Sequence, residues 1–169
     1  MIVLRFVFVK GPVTDLILFQ TGGGFSHVEA LTTKNTLIGA HTTGVEERPR
    51  SYDANTLTRE KFLLLPADDG MSAKFEHYLR ACIGEPYDYR AIGGFVHHLD
   101  RHQEHRTICS ALVTLALRGC AWLPVPLPVL AHMISVRDLE LGLAMRPDVR
   151  EVPPSDADLL AHVAGAADA

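Results

Sequence analysis

The stretch TICSALVTLALRG, residues 107–119, leaves this chain little freedom. Ala111, Leu112, Val113, Leu115, Ala116 and Leu117 fall on nearly every side of a helix, so a helix over 108–118, closed by Gly119, has hardly any polar face to offer water. Such a helix must lie at the centre of a fold with other elements wrapped around it. The 169 residues, 47% of them apolar, supply enough material for that cover. We therefore expect one domain over residues 1–169, with its core at about 15–120 and a helical extension at about 127–169.

The covering elements are read from period and punctuation. Residues 2–9 form an edge or core strand, and DLILFQ at 15–20 is a short apolar element that ends at Thr21-Gly22-Gly23-Gly24. SHVEALTT and TLIGAH are strands joined by a turn at Lys34-Asn35, a β-hairpin, and KFLLLP at 61–66 is a third strand. Apolar residues at 71, 75, 78, 79, 82 and 83 have the helical period, and Gly84 with Pro86 ends that helix. YDYRAIGGFV is a short helix or a turn, HHLDRHQEHR a polar loop, and LPVPLPV a rigid connector. Ser135, with Asp138 at the capping-box position, starts a helix over 136–145, and Ser155 starts a last one across DADLLAHVAGA. Strands followed by helices make the class α+β.

Charge and composition exclude several functions. A net charge of −4 with scattered Lys and Arg gives no basic footprint, so no nucleic-acid partner is expected. MIVLRFVFV is too short to span a bilayer and has neither a basic n-region nor a cleavage site, so we expect no membrane span, no signal peptide and cytoplasmic synthesis. Cys82, Cys109 and Cys120 are an odd set without framework spacing, which excludes a disulfide scaffold.

One of those cysteines stands at the mouth of the buried helix. With Thr107 as N-cap, Cys109 falls at N2, where unpaired N–H groups and the positive end of the helix dipole favour a thiolate. A buried Cys with no chemistry is the commoner case, so a base is needed. His27 opens a strand directly after a Gly-rich turn, at a sheet end where a side chain can project. If Lys34 is the centre of the hairpin loop, His41 faces His27 across the two strands, and Glu29 shares that face by the period of two. Either His41 or Glu29 can then orient His27 while His27 takes the thiol proton. A register slip of one residue would separate the histidines. His97, His98, His102 and His105 are a rival zinc-binding tract, although their spacing matches neither His-Glu-x-x-His nor a finger.

These residues resemble a known family, the NlpC/P60 group of papain-like cysteine peptidases and amidases. GEPYDYRAIGG followed by TICSALV is similar to its Gly-x-Pro-Tyr stretch and its Asp-Cys-Ser-x-Leu-Val nucleophile motif, and SHVEAL with LIGAH to its two histidine strands. Here His27 precedes Cys109, the inverse of the ordinary order, which resembles the circularly permuted branch of YaeF/YiiX-type enzymes. The resemblance covers roughly residues 20–115. It implies a permuted papain-like fold, an antiparallel sheet packed on a buried helix that carries the cysteine. It implies Cys109 as nucleophile, His27 as general base, His41 as third polar residue and Tyr87 as a hydroxyl near the oxyanion, with no cofactor and no metal. The implied activity is amide hydrolysis in peptidoglycan stem peptides through an acyl-enzyme. A lipid or thioester deacylase is the alternative chemistry, and a structural part of an assembly such as a phage tail tip, with tail proteins as partners and a virion location, the alternative role. Two positions depart from the pattern: Ile108 replaces the aspartate before the cysteine, and Ala111 the glycine after Cys-Ser. A third is Glu29, where many relatives have a small residue and which can replace or assist His41.

Overall fold

The structure, a computed structural model, describes residues 1–9, 24–91, 103, 105–123 and 130–156. The element 15–20, residues 92–102, the proline run 124–129 and residues 157–169 lie outside the described residues.

Alternation along the first strand, β1 (Ile2–Val9), divides the molecule. Ile2, Leu4 and Phe6 point into the larger apolar cluster, and Val3 points to a smaller cluster with Leu31, Leu37, Phe62 and Leu64 on the other face. β1 is an interior strand. It pairs antiparallel with β2 (His27–Leu31) on one side and with β5 (Leu57–Leu65) on the other. The sheet is completed by β3 (Thr36–His41), β4 (Gly44–Pro49) and β6 (Arg150–Val152), in the antiparallel order β4-β3-β2-β1-β5-β6.

The β2–β3 hairpin has the register that centres on Lys34: Ala30 pairs with Ile38 and Leu31 with Leu37. Asn35, at φ 59°, takes the left-handed turn conformation that asparagine tolerates. β5 begins at Leu57, four residues before the expected start, because Arg59, Glu60 and Lys61 continue the ladder with β1 despite their polarity. Neither β4 nor β6 was signalled by alternation. Both are edge strands, and their charged side chains are tied laterally, as in Arg80 Nη1–Glu47 Oε2 at 2.7 Å and Lys61 Nζ–Glu151 Oε2 at 3.1 Å.

Three α-helices lie wholly within the described residues. α1 (Asp69–Ala81) is capped by Asp68, whose side chain accepts from the Met71 N–H at 2.7 Å. α2 (Cys109–Gly119) buries eight of its eleven residues and lies against the sheet face formed by Ile2, Leu4, Phe6, Val28, Ala30, Ile38 and Ala40, with α1 beside it. Leu112 and Leu117 are fully enclosed, and removing either side chain to Ala costs about 2–5 kcal/mol. α3 (Val136–Ala144) has the expected capping box between Ser135 and Asp138 and buries Val136, Leu139 and Leu143. Ser155 does not cap the last helix: residues 154–156 are already helical, so it lies inside the first turn.

Candidate active site

Each functional side chain is placed by a local feature. α2 starts one residue later than the Thr107 cap implies, with Ile108 as N-cap in extended conformation and Cys109 as the first helical residue. The cap has no side-chain hydrogen bond, as expected where isoleucine replaces a polar residue. The Leu112 N–H makes the first intrahelical bond, to Ile108 O at 2.9 Å, so the N–H groups of 109–111 have no partner within the helix. Thr107 instead pairs with the GEPY segment. Its N–H donates to Pro86 O at 3.1 Å and its carbonyl accepts from the Asp88 N–H at 2.9 Å, a bridge that sets Tyr87 beside Cys109. Buried Asp88 holds this segment by accepting the N–H groups of Arg90, Ala91 and Gln103. At the far side, Gly44 lets Glu85 O approach to where a Cβ would sit 2.7 Å away, and Val45 and Gly84 bond across the same contact.

His27, Glu29 and His41 share the sheet face opposite the helices, and His27, as first residue of its strand, meets the Cys109 thiol at the sheet end. The two imidazoles are 4.8 Å apart between centroids. Glu29, with no solvent exposure, is the hub: its Oε1 lies 3.2 Å from His41 Nε2 and 3.5 Å from His27 Nε2 and accepts the Tyr52 hydroxyl at 3.0 Å. Nε2 of His27 is the nitrogen that faces Glu29. Neither Nε2 is aligned as a hydrogen-bond donor in this geometry, although both are closed to solvent.

Gly39 stands opposite Glu29, and a Cβ there would lie 2.9 Å from Glu29 Cγ and 3.2 Å from His27 Nε2. Its lack of a side chain is what allows the carboxylate and the ring to meet. A cleft of about 200 Å³ opens over His27, His41 and Tyr87, with Tyr52, Thr42 and Arg48 on its walls.

Electrostatics favour the charged forms of Cys109 and His27 together. Burial opposes charge on Cys109, but the His27 imidazolium, with the Val28 and Ser110 N–H groups, outweighs it and lowers the thiol pKa. Burial likewise opposes charge on His27, and the thiolate with Glu29 raises it to about 10. Burial would also raise Glu29, yet His27 and His41 hold it far below the usual carboxylate range. His41 is pushed down, mainly by burial, and stays neutral. Tyr87 and Tyr52 are pushed well above 10 by burial and neighbouring anions, so both hydroxyls remain donors. Cys82, raised by burial to about 11, and Cys120, also raised, stay as inert thiols.

The five residues singled out in the sequence, Cys109, His27, Glu29, His41 and Tyr87, therefore converge on one site. Arg5, Gly39, Tyr52 and Asp53 were not foreseen. Arg5 had one visible signal, a lone charge in the apolar run MIVLRFVFV, because an arginine on a buried strand must be paired. Of the histidine tract only His105 is described, and it is outside this cluster.

Among the described residues His27, Glu29 and His41 also form a group that could hold a metal, with donor atoms within 4.8 Å of one another. Two imidazoles and a carboxylate are a zinc-type donor set, and tetrahedral bonds of about 2.0–2.1 Å give ligand separations of about 3.3 Å; the 3.2 and 3.5 Å found to Glu29 match this, while the widest donor separation, 4.8 Å, would have to shorten. The two orphaned Nε2 atoms fit the same group.

No protein-family model and no curated protein matches the sequence. Among solved structures, the metalloprotein yiiX from Escherichia coli O157:H7 is similar in fold, with a TM-score of 0.64 and 13% identity over 89% of this chain and 94% of that one. That neighbour is of the YaeF/YiiX type. At such identity the likeness concerns the fold alone.

Proposed function

We propose that this chain is a cysteine hydrolase with a papain-like fold of the circularly permuted type, acting on an amide bond through an acyl-enzyme on Cys109. The observation that supports this reading is the His27 imidazole that interacts with both the Cys109 thiol and the Glu29 carboxylate, with Cys109 at a helix start whose first N–H groups have no partner within the helix. The thiolate attacks the carbonyl carbon, and the N–H groups of the first turn with the Tyr87 hydroxyl receive the oxyanion. His27 gives its proton to the leaving amine as the C–N bond breaks, leaving a thioester. His27 then takes a proton from water, whose oxygen attacks the thioester and releases the acid and the thiolate. Peptidoglycan stem peptides are the substrate class drawn from the likeness of SHVEAL, GEPY and CSALV to NlpC/P60 motifs. Lipid and thioester substrates use the same nucleophile and base. The test is turnover of wall peptides, acyl lipids and thioesters, with mass detection of the acyl group on Cys109. Cys109→Ala and His27→Ala should each abolish it, and full activity in either variant refutes the mechanism.

A second reading is favoured by the His27–Glu29–His41 donor set and by the name of the yiiX neighbour, a metalloprotein. His27, Glu29 and His41 would hold a divalent ion such as zinc, which supplies Lewis acidity and a water of lowered pKa. His27 held in this way is drained of its basicity toward Cys109, so the two readings compete for one ring. Metal analysis of protein purified without a histidine tag separates them. A stoichiometric metal lost in His41→Ala, with activity surviving Cys109→Ala, selects the metal reading.

A further inference from the structure

Behind the site, on the same sheet face, Arg5 is nearly unexposed and bound on three sides. Its guanidinium forms a two-bond fork with Asp53, Nη1 to Oδ2 at 3.0 Å and Nη2 to Oδ1 at 3.1 Å, and its Nε donates to Glu60 Oε2 at 2.8 Å. The remaining direction is the informative one. Nη1 also reaches Glu29 Oε2 at 3.3 Å, the oxygen that faces away from the histidines. Glu29 is thus held from behind by Arg5 through Oε2, and from the front by Tyr52 and the histidines through Oε1.

We propose that Arg5 is a positioning residue for the Cys109–His27 pair: anchored by Asp53 and Glu60, it holds the Glu29 carboxylate in place, so that Glu29 is the group that orients His27. This rests on the cysteine-hydrolase reading above. The charges around Glu29 support it. Arg5 from β1 is the buried cation on the far side of Glu29, whereas neighbouring Arg48 over the Tyr52 ring and Arg50 over the Phe62 ring are more exposed. His41, 3.2 Å from Glu29 Oε1, serves as a second contact of the carboxylate. An arginine fork also gives direction as well as charge, because planar bidentate pairing with Asp53 fixes the plane of the guanidinium. Asp53 belongs to the turn after β4, where its carbonyl accepts from the Thr56 and Leu57 N–H groups at 2.8 Å, so the anchor is itself part of a rigid loop.

The test measures the iodoacetamide alkylation rate of Cys109 at one fixed neutral pH, needing no knowledge of the substrate. Arg5→Gln should slow it about ten-fold or more, because a misaimed Glu29 leaves His27 out of line with the thiol. Arg5→Lys, which keeps the charge but not the fork, should recover part of the rate. In a Glu29→Gln background, itself slow, Arg5→Gln should add nothing, since its route is removed. Equal slowing by Arg5→Gln in both backgrounds, or no rescue by lysine, overturns the proposal in favour of a purely structural arginine. If Arg5→Gln does not fold, Asp53→Asn leaves the arginine present and cuts its fork; it should slow alkylation several-fold with Glu29 present and not in Glu29→Gln. A wild-type Cys109 no faster than a free thiol refutes the hydrolase reading itself. A fast wild type with a slow Glu29→Gln and an unaffected Arg5→Gln refutes only the role of Arg5.

Discussion

Gly39→Ala is the smallest change that tests how the site is held together. The added Cβ would sit 2.9 Å from Glu29 Cγ and 3.2 Å from His27 Nε2, both on the neighbouring strand. Carbon atoms are comfortable at about 3.5–4.0 Å, so Glu29 must retreat by at least about 0.6 Å. It cannot do so freely. Its Oε2 is held by Arg5, its Oε1 by Tyr52, and it has no solvent on any side. Overpacking of this kind costs about 1–3 kcal/mol, read as a lower urea midpoint with an unchanged m-value. Because the retreat moves the group that orients His27, we expect Cys109 alkylation to fall by about 10- to 100-fold, the scale of an ångström-sized misplacement in a catalytic array. The control is Gly142→Ala in the exposed middle of α3, where a Cβ meets nothing within 4 Å; it should stabilise by about 0.5–1 kcal/mol and leave alkylation unchanged. A Gly39→Ala protein with wild-type stability and wild-type alkylation refutes the packing of Glu29 and His27 derived above.

Three further outcomes follow from the same geometry. Tyr52→Phe removes the donor to ionised Glu29 and should cost about 1.5–3 kcal/mol in urea unfolding, with no change in cleft shape by crystallography. The pH profile has two limbs. The lowered Cys109 value keeps thiolate present from a pH below the ordinary 9.0, and the raised His27 value keeps its proton until about 10, so hydrolysis should rise on the acid side and fall near pH 10. A profile centred on a free thiol and a free imidazole would contradict the ion pair. Ser135→Ala breaks the capping box of α3 and should cost about 1 kcal/mol by thermal or urea unfolding, without touching Cys109 reactivity.

What can be read from the chain and what cannot divides along sequence separation. The burial of α2, the register of the hairpin about Lys34 and the capping box at Ser135 each depend on residues within one turn or one face, so period and punctuation are sufficient. The meeting of His27, Glu29 and His41 belongs to the same class, because one short loop sets all three. The start of α2 was misjudged by one residue because backbone pairing with Pro86 and Tyr87 draws Thr107 out of the helix, a contact invisible to local pattern. The meeting of Cys109 with His27 was legible only through the likeness of separate motifs, since no local pattern links a helix start to a distant strand. Arg5 lies further still from inference. Its partners Glu29, Asp53 and Glu60 are 24, 48 and 55 residues away, and they converge only because β1 runs between β2 and β5 with one loop folded over its face. Local patterning determined that this chain would bury a cysteine helix under a sheet. Strand order and the loop over β1 decided which charges stand behind the carboxylate, because buried ions choose partners by proximity in space, and that proximity is created by the assembled fold.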